Sequence, residues 1–437
     1  MQPNVLPNVP RKPTILVTDA GRGSAIAIIR SLGRLGWRVI AADCDRHSPG
    51  FRSRYTADVL IYPSPQTSPR DAVRTLLAAA GYHGVDLIIP VTDELILPLS
   101  RERSLFENVC RLALPEEDAL EVTTNKLKTI ALAERLQVPV PRTRLVRTVE
   151  EALRCGPALG WPVVLKPQAS RRYHDGRAIE TFSVCYAGDR DDLARQMRRF
   201  EGRCPILMQE YSSGTGFGVE LLMHEGRPLA AFQHRRLREV PINGGASSLR
   251  QSVPLDPELY GHAVRLLAAL RWTGLAMVEF KVGPCGGRLM EVNGRVWGSL
   301  PLAVLSGMDF PARLAKMWLF GPPKGESPPE MSYKIGVRAR NLELDLVWIA
   351  SVLIGRRRYP FLHAPRRFRA LTALAGLLSP RCKFDIISLK DPRPGVAELF
   401  KIVRKFVAKW KQPKQKGPDF PGSQAGVWEP GESLEAR

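Results

Sequence analysis

Glu279 and Glu291 stand twelve positions apart in two segments of strand-like pattern, Ala276-Met277-Val278-Glu279-Phe280 and Glu291-Val292-Asn293-Gly294-Arg295. A carboxylate set inside an apolar strand is costly to bury unless it is paired or binds an ion. On neighbouring antiparallel strands the two carboxylates and the Asn293 amide would converge as hard oxygen ligands. Mg²⁺ takes donors of this kind, commonly one or two carboxylates completed by phosphate oxygens and water. Side chains alternate along a strand, so Glu291, Asn293 and Arg295 are expected on one face. The planar fork of Arg295 suits phosphoryl or carboxylate oxygens.

Further polar groups precede these in a fixed order. Lys126 opens a helix after Thr124-Asn125, with Lys128 competing for the same role, and Lys166 closes the apolar run Trp161-Pro162-Val163-Val164-Leu165 just before Pro167. A lysine in that position is held at the end of a sheet. Gln209-Glu210-Tyr211 ends a second apolar run that begins near Cys204.

The elements that must position these groups are legible from periodicity and punctuation. Thr14 to Val17 reads as a strand leading through Thr18-Asp19-Ala20-Gly21-Arg22-Gly23 into a helix that runs to Leu35. Arg38 to Ala42, ending in Asp43-Cys44-Asp45, and Val85 to Val91, ending in Thr92-Asp93-Glu94, read as further strands. Strands alternating with helices predict a parallel α/β sheet with ligands at the carboxyl ends of its strands. The Gly-x-Gly turn followed by Asp43 has the outline of a dinucleotide site, but the third glycine position holds Ile26, which argues against it. A boundary is expected near residue 115. Beyond it, Val219 to Met223, Leu229 to Arg235, Leu275 to Val282 and Arg288 to Asn293 read as an antiparallel sheet interrupted by a helix over Pro257 to Leu270. Asn243-Gly244-Gly245-Ala246-Ser247-Ser248 reads as a loop able to close over a reacting group. His234, alone among arginines, reads as structural or as an anion contact.

Taken together, Lys126, Lys166, Gln209-Glu210-Tyr211, Glu279 and Glu291-Val292-Asn293-Gly294-Arg295 resemble the ATP-grasp superfamily over roughly residues 12 to 320, with a core like that of carbamoyl-phosphate synthase and biotin carboxylase, and resemble most its carboxylate-amine ligases. The resemblance implies an α/β N-terminal domain with a parallel sheet (12–115), then an α+β ATP-grasp fold (116–320, divided near 212), a basic, largely helical accessory region (330–412) and a disordered tail (413–437). It implies ATP and Mg²⁺, or Mn²⁺, as cofactors. Lys126 and Lys166 would meet the phosphates, with Gln209, Glu210 and Tyr211 at the adenine and Glu220 at the ribose. Glu279, Glu291 and Asn293 would hold the metal, and Arg295 with Asn293 would serve the transferring group. Asp19, Asp93, Glu94, Arg235 and Arg236 are the candidate substrate contacts. The chain departs from the family at the lid, where Gln168 to Arg177 holds one glycine, with Arg171, Arg172 and Arg177 as substitutes in charge.

The implied reaction phosphorylates a substrate carboxylate, after which an amine attacks the acyl phosphate. Carboxylation through carboxyphosphate is one alternative. A basic protein binding nucleic acid or membrane, with a vestigial nucleotide site, is another.

Composition narrows these. With 44% hydrophobic and 24% charged residues the chain is globular, and no apolar run approaches the roughly 18 residues of a spanning helix. Its beginning has no apolar signal segment and its seven cysteines show no C-x-x-C spacing, so a reducing cytoplasm is the expected compartment. The net charge is +21, and residues 321–437 hold 22 basic against 11 acidic residues, so about half of the excess lies away from the chemistry. No specific nucleic acid is expected as a partner; small carboxylates and amines are, with homo-oligomerisation left open. Residues 398–411 form a basic amphipathic pattern that suits either the protein core or, weakly, an anionic membrane surface.

Overall fold

The computed structural model describes residues 11–411, apart from 169–170, 175–177, 182–183, 243, 324, 326–327, 356–358, 360 and 362–364, and without the side chains of 171–174, 178–181 and 408–411. The lid arginines Arg171, Arg172 and Arg177, Asn243 of the second loop, the Arg356-Arg357-Arg358 cluster and the tail beyond 412 therefore lie outside what is described here.

The N-terminal part is a five-stranded parallel sheet in the spatial order Asp58–Ile61, Arg38–Asp43, Thr14–Val17, Leu87–Ile89, Arg111–Leu112. Thr14–Val17 is buried at every residue, as a strand covered on both faces must be, which is why its sequence runs apolar without alternation. The strand order reverses between Thr14–Val17 and Leu87–Ile89. Asp19 and Asp93 follow the two strands at this switch point, the place where sheets of this order form a ligand crevice.

A four-stranded antiparallel sheet follows, in the order Cys185–Ala187, Val163–Pro167, Ile206–Glu210, Thr143–Val146, with helices Val149–Leu159 and Arg190–Met197 packed on it. It buries its own apolar cluster around Leu165, Leu193 and Met208.

The largest sheet has seven strands: Gly286–Asn293, Gly274–Gly283, Thr215–His224, Arg227–Val240, Ala246–Ser252, Arg338–Arg340 and Cys382–Phe384. All pairs are antiparallel except the last. Two differences from expectation appear here. Residues 246–252, read in part as loop, form a strand whose Leu249 and Arg250 are buried. The C-terminal region adds two strands to this sheet, because Arg338–Arg340 pairs with residues 249–251.

Buried ion pairs fasten the C-terminal region further. Arg250 meets Asp385 at 2.5 Å with both side chains about 1% exposed, Arg30 of the N-terminal part meets Asp391 at 2.8 Å, and Arg238 meets Asp345 at 2.9 Å. Among the described residues no helix is long and apolar enough to cross a membrane.

Candidate active site

Strands Gly274–Gly283 and Gly286–Asn293 pair so that Glu279 lies opposite Glu291 and Met277 opposite Asn293. The expected carboxylate face is therefore formed by register alone. Asn293 Nδ2 donates to Glu279 Oε1 at 2.9 Å and to Glu291 Oε1 at 3.5 Å, while its Oδ1 accepts from Arg295 at 3.0 Å. The strand ends at Asn293, so Arg295 is placed by the turn after it rather than by alternation. That turn needs Gly294, where a Cβ would fall 2.4 Å from the Trp272 ring and 2.7 Å from the Thr123 hydroxyl. Arg295 then reaches the N-terminal crevice and donates to Asp93 at 2.9 Å.

Arg236 completes the cluster, its guanidinium pairing closely with Glu279 and standing 3.3 Å from Glu239. It reaches Glu279 across the intervening strand Thr215–His224, which is stripped to Gly216 and Gly218 where it passes. A Cβ on Gly216 would come within 2.9 Å of the Arg236 side chain. Arg235 points the other way by alternation, is exposed, and donates to Gln251 Oε1 at 2.8 Å. Of the two adjacent arginines expected at the substrate, only Arg236 faces the site.

The lysines come from a third direction. Asn125 caps the helix Lys126–Arg135 by accepting from the Leu127 and Lys128 amides at 3.1 and 3.4 Å. The Lys126 amide donates to the Gln168 carbonyl at 3.1 Å, just past the strand Val163–Pro167 that carries Lys166. This ties the two lysines together. Lys128 is turned away onto Glu121 and is half exposed, so Lys126 is the lysine that faces the carboxylates.

Electrostatics follow this arrangement. Burial works to raise Glu291, but Lys126, Lys166, Arg236 and Arg295 around it hold it below the ordinary carboxylate value. Glu279 is raised, first by burial and also by Glu291, against the pull of Arg236. Lys166 is lowered to about 8, chiefly by burial, with Lys126 adding to the effect and Glu291 opposing it. The site thus interleaves cationic and anionic groups beside a cavity of about 760 Å³ whose lining includes Asp93, Lys126, Glu291, Asn293 and Arg295. Lys166 and Tyr211 lie outside that lining.

Three expected nucleotide contacts are otherwise engaged. Glu220 is fully buried, accepts from Ser299 Oγ at 3.2 Å and lies 2.8 Å from His234 Nδ1, so its carboxyl is inside the sheet's packing rather than at a ribose. Burial raises Glu220 and lowers His234, and both side chains sit inside the sheet's packing. The Gln209 side chain is buried and donates to Thr143 Oγ1 at 2.8 Å. The Glu210 carboxylate accepts from Arg142 Nε at 2.6 Å and pairs closely with Arg288, linking the four-stranded sheet to the hairpin of strands Gly274–Gly283 and Gly286–Asn293. What the 209–211 segment can still offer a ligand is backbone and the half-buried Tyr211 ring, which packs edge-on to Tyr186 at 6.2 Å.

In the crevice, Asp19 holds φ +56° and accepts from Thr18 Oγ1 at 2.6 Å and Thr92 Oγ1 at 2.9 Å. Its pKa is raised to about 6 by burial and by Asp43. Glu94 is buried at the start of helix Asp93–Arg101. Asp43 accepts from the Gly21 amide at 2.6 Å and the Asp45 amide at 2.9 Å, so it braces the glycine turn and is not offered to a ribose. Arg142, Arg288 and the Asn125 cap were not anticipated; only Asn125, an N-cap residue type ahead of a helix, left a readable signal.

Among the described residues no three His, Cys, Asp or Glu side chains cluster as metal ligands. Two carboxylates and one amide are nevertheless the donor set of a Mg²⁺ ion that keeps water and phosphate oxygens. The pairing of Glu279 with Arg236 shows that this face already draws a cation.

The resemblance to ATP-grasp proteins returns in the comparisons with known proteins. Residues 203–342 match the family described as ATP-grasp in the biosynthetic pathway with Ter operon. The chain is 32% identical over 227 residues to the formate-dependent phosphoribosylglycinamide formyltransferase of Prochlorococcus marinus, covering 48% of this chain and 54% of that relative's length. Its fold is similar to biotin carboxylase of Campylobacter jejuni (TM-score 0.57, 19% identity, 75% of this chain and 74% of that one). It is also similar in fold to the L-amino acid ligase of Bacillus licheniformis (TM-score 0.56, 16% identity, 73% and 78%).

Proposed function

We propose that this protein is an ATP-dependent carboxylate-amine ligase. The observation that carries the reading is the meeting of Glu279, Glu291 and Asn293 on one face with Lys126 and Lys166 opposite and Arg295 reaching into the crevice of the N-terminal sheet. The family description of residues 203–342 and the amino acid ligase among its neighbours in fold support it.

Mg²⁺, held by Glu279, Glu291 and, with its amide turned over from Arg295, the Asn293 oxygen, would neutralise phosphate charge and orient the triphosphate. Lys126 and Lys166 would bind phosphate oxygens, and the backbone at Glu210 and Tyr211 would border the adenine. A substrate carboxylate in the crevice beside Asp19 and Asp93 attacks the γ-phosphorus, the bond to the bridging oxygen breaks and ADP departs. The amine then attacks the carbonyl carbon of the acyl phosphate, loses a proton and expels phosphate, leaving an amide. Arg295 and Arg236 would stabilise charge on the transferring group, a task of positioning and electrostatics.

The test is ADP release from purified protein with Mg·ATP across pooled acids, with and without amines, and with bicarbonate as a separate arm. Release requiring both an acid and an amine is expected; release requiring bicarbonate alone would replace the reading with a carboxylation. Glu291→Gln should lower turnover by about 100-fold or more while circular dichroism and the melting temperature stay near wild type.

A further inference from the structure

The helix Arg393–Lys411 is mounted with its charged side inward. Glu398 is 4% exposed, Lys405 donates to Glu343 at 2.8 Å, and Lys401 reaches Asp45 at 3.8 Å. The apolar stripe at helical spacing points outward instead: Val396, Leu399, Phe400, Val403, Phe406 and Val407 are 44–73% exposed, and among the described stripe residues only Ile402 is buried. A helix that folds only to cover a core places these two sides the other way round.

The same inversion extends to the neighbouring helices. Ile354 at the end of Leu342–Ile354 is 63% exposed, and Phe368 and Leu371 of Phe368–Leu377 are 56% and 61% exposed. Between the three helices runs an apolar groove that Ile349, Leu353, Leu374, Val403 and Phe406 help to line.

Charge is segregated to match. The five acidic residues between 331 and 411 are Glu343, Asp345, Asp385, Asp391 and Glu398. Four of them are buried, and Glu343 is partly buried against Lys405. Asp345, Asp385 and Asp391 are paired with Arg238, Arg250 and Arg30 of the rest of the chain. Arg366, Arg367, Arg369, Arg381, Arg393 and Arg404 are exposed. The outer surface of this region therefore presents bases and large apolar side chains with no exposed acid.

We infer that the helices Leu342–Ile354, Phe368–Leu377 and Arg393–Lys411 form a docking face for an anionic lipid bilayer, their exposed apolar side chains entering the headgroup region and their arginines meeting lipid phosphates. An apolar stripe alone suits any apolar partner. An apolar stripe flanked only by bases matches a surface that is greasy beneath and uniformly negative above. Acidic groups on this face would be repelled there, and each one is turned in. Docking of this kind needs no spanning helix, and it leaves the ligase site, built on other strands, free to work beside the membrane.

The full-length protein is sedimented with phosphatidylcholine vesicles and with vesicles enriched in phosphatidylglycerol, at low and high salt. Partitioning to the anionic vesicles about ten-fold or more above the neutral ones, weakened by salt, is expected. Phe400→Ser with Val403→Ser, and separately Arg366→Glu with Arg369→Glu, should each lower it by about ten-fold without shifting the melting temperature or Mg·ATP binding. Equal partitioning to both vesicle types, no partitioning, or an unaffected stripe variant would overturn the inference. So would light scattering that shows a dimer which the stripe variant splits, because a second copy would then be the occupant.

Discussion

At the scale of single residues the site is a problem in holding like charges close. Lys126, Lys166, Arg236 and Arg295 surround Glu291, and Glu279 shares its neighbourhood with both Glu291 and Arg236. Cations held this close together are eased by a polyanionic ligand, and Lys166 shows it most directly. Its ordinary value of 10.5 is lowered to about 8, first by burial and then by Lys126. Between pH 8 and 10.5 the unfolded chain binds a proton here that the folded protein has released, so this residue's contribution makes stability rise with pH across that window. Triphosphate oxygens would restore the charged form. Mg·ATP binding above pH 8 should therefore take up a proton and weaken as pH rises. Titration calorimetry in buffers of different ionisation heat reads this uptake, and Lys166→Met should remove it; a proton-neutral binding event at pH 9 in wild type would contradict the assignment.

At the scale of elements, what matters is which strands lie beside which. Glu279 and Arg236 belong to strands that are not neighbours, and they meet only because the strand between them carries glycines at 216 and 218. A Cβ at Gly218 would fall 2.4 Å from His234 Cε1 and 3.0 Å from Met277 Sδ, both on buried, closely packed side chains. Gly218→Ala should cost about 1–3 kcal/mol through overpacking and lower the melting temperature, with nucleotide affinity falling as Arg236 and Glu279 are pushed apart. A variant as stable as wild type would show that the strands can separate without loss. Glu210 works at the same scale, since its carboxylate at the end of strand Ile206–Glu210 holds both Arg142, just before the neighbouring strand, and Arg288 of the seven-stranded sheet.

At the scale of the whole molecule the C-terminal region is part of the fold. Its strands extend the seven-stranded sheet, and its acids neutralise arginines from the N-terminal sheet's helix and from the central sheet. Removing one partner of a fully buried pair leaves an uncompensated charge, so Asp385→Ala should destabilise the protein by about 3–5 kcal/mol, read as a lower denaturant midpoint with cooperative unfolding. If residues 330–411 were an independent appendage, the variant would instead unfold in two steps and leave the rest of the chain's transition unchanged.

Much of the site was legible before any coordinates, for physical reasons that differ by residue. The meeting of Glu279, Glu291 and Asn293 could be read because a carboxylate in an apolar strand needs a partner and because alternation with period two assigns faces. Lys166 could be read because a lysine that closes a buried strand sits at a sheet end. The parallel N-terminal sheet followed from uninterrupted apolar runs alternating with helices. Other outcomes depended on what lies across a sheet, which spacing along the chain does not encode. Glu220 was removed from the nucleotide and given to Ser299 and His234 by packing, Arg236 was separated from Arg235 by the register of its strand, and Arg295 was placed by a turn that needs glycine. The amphipathic period of 398–411 was plain in the sequence. That its apolar side faces outward was decided only in the tertiary structure, because Glu398, Lys401 and Lys405 find the inward side of the helix while nothing described covers the other.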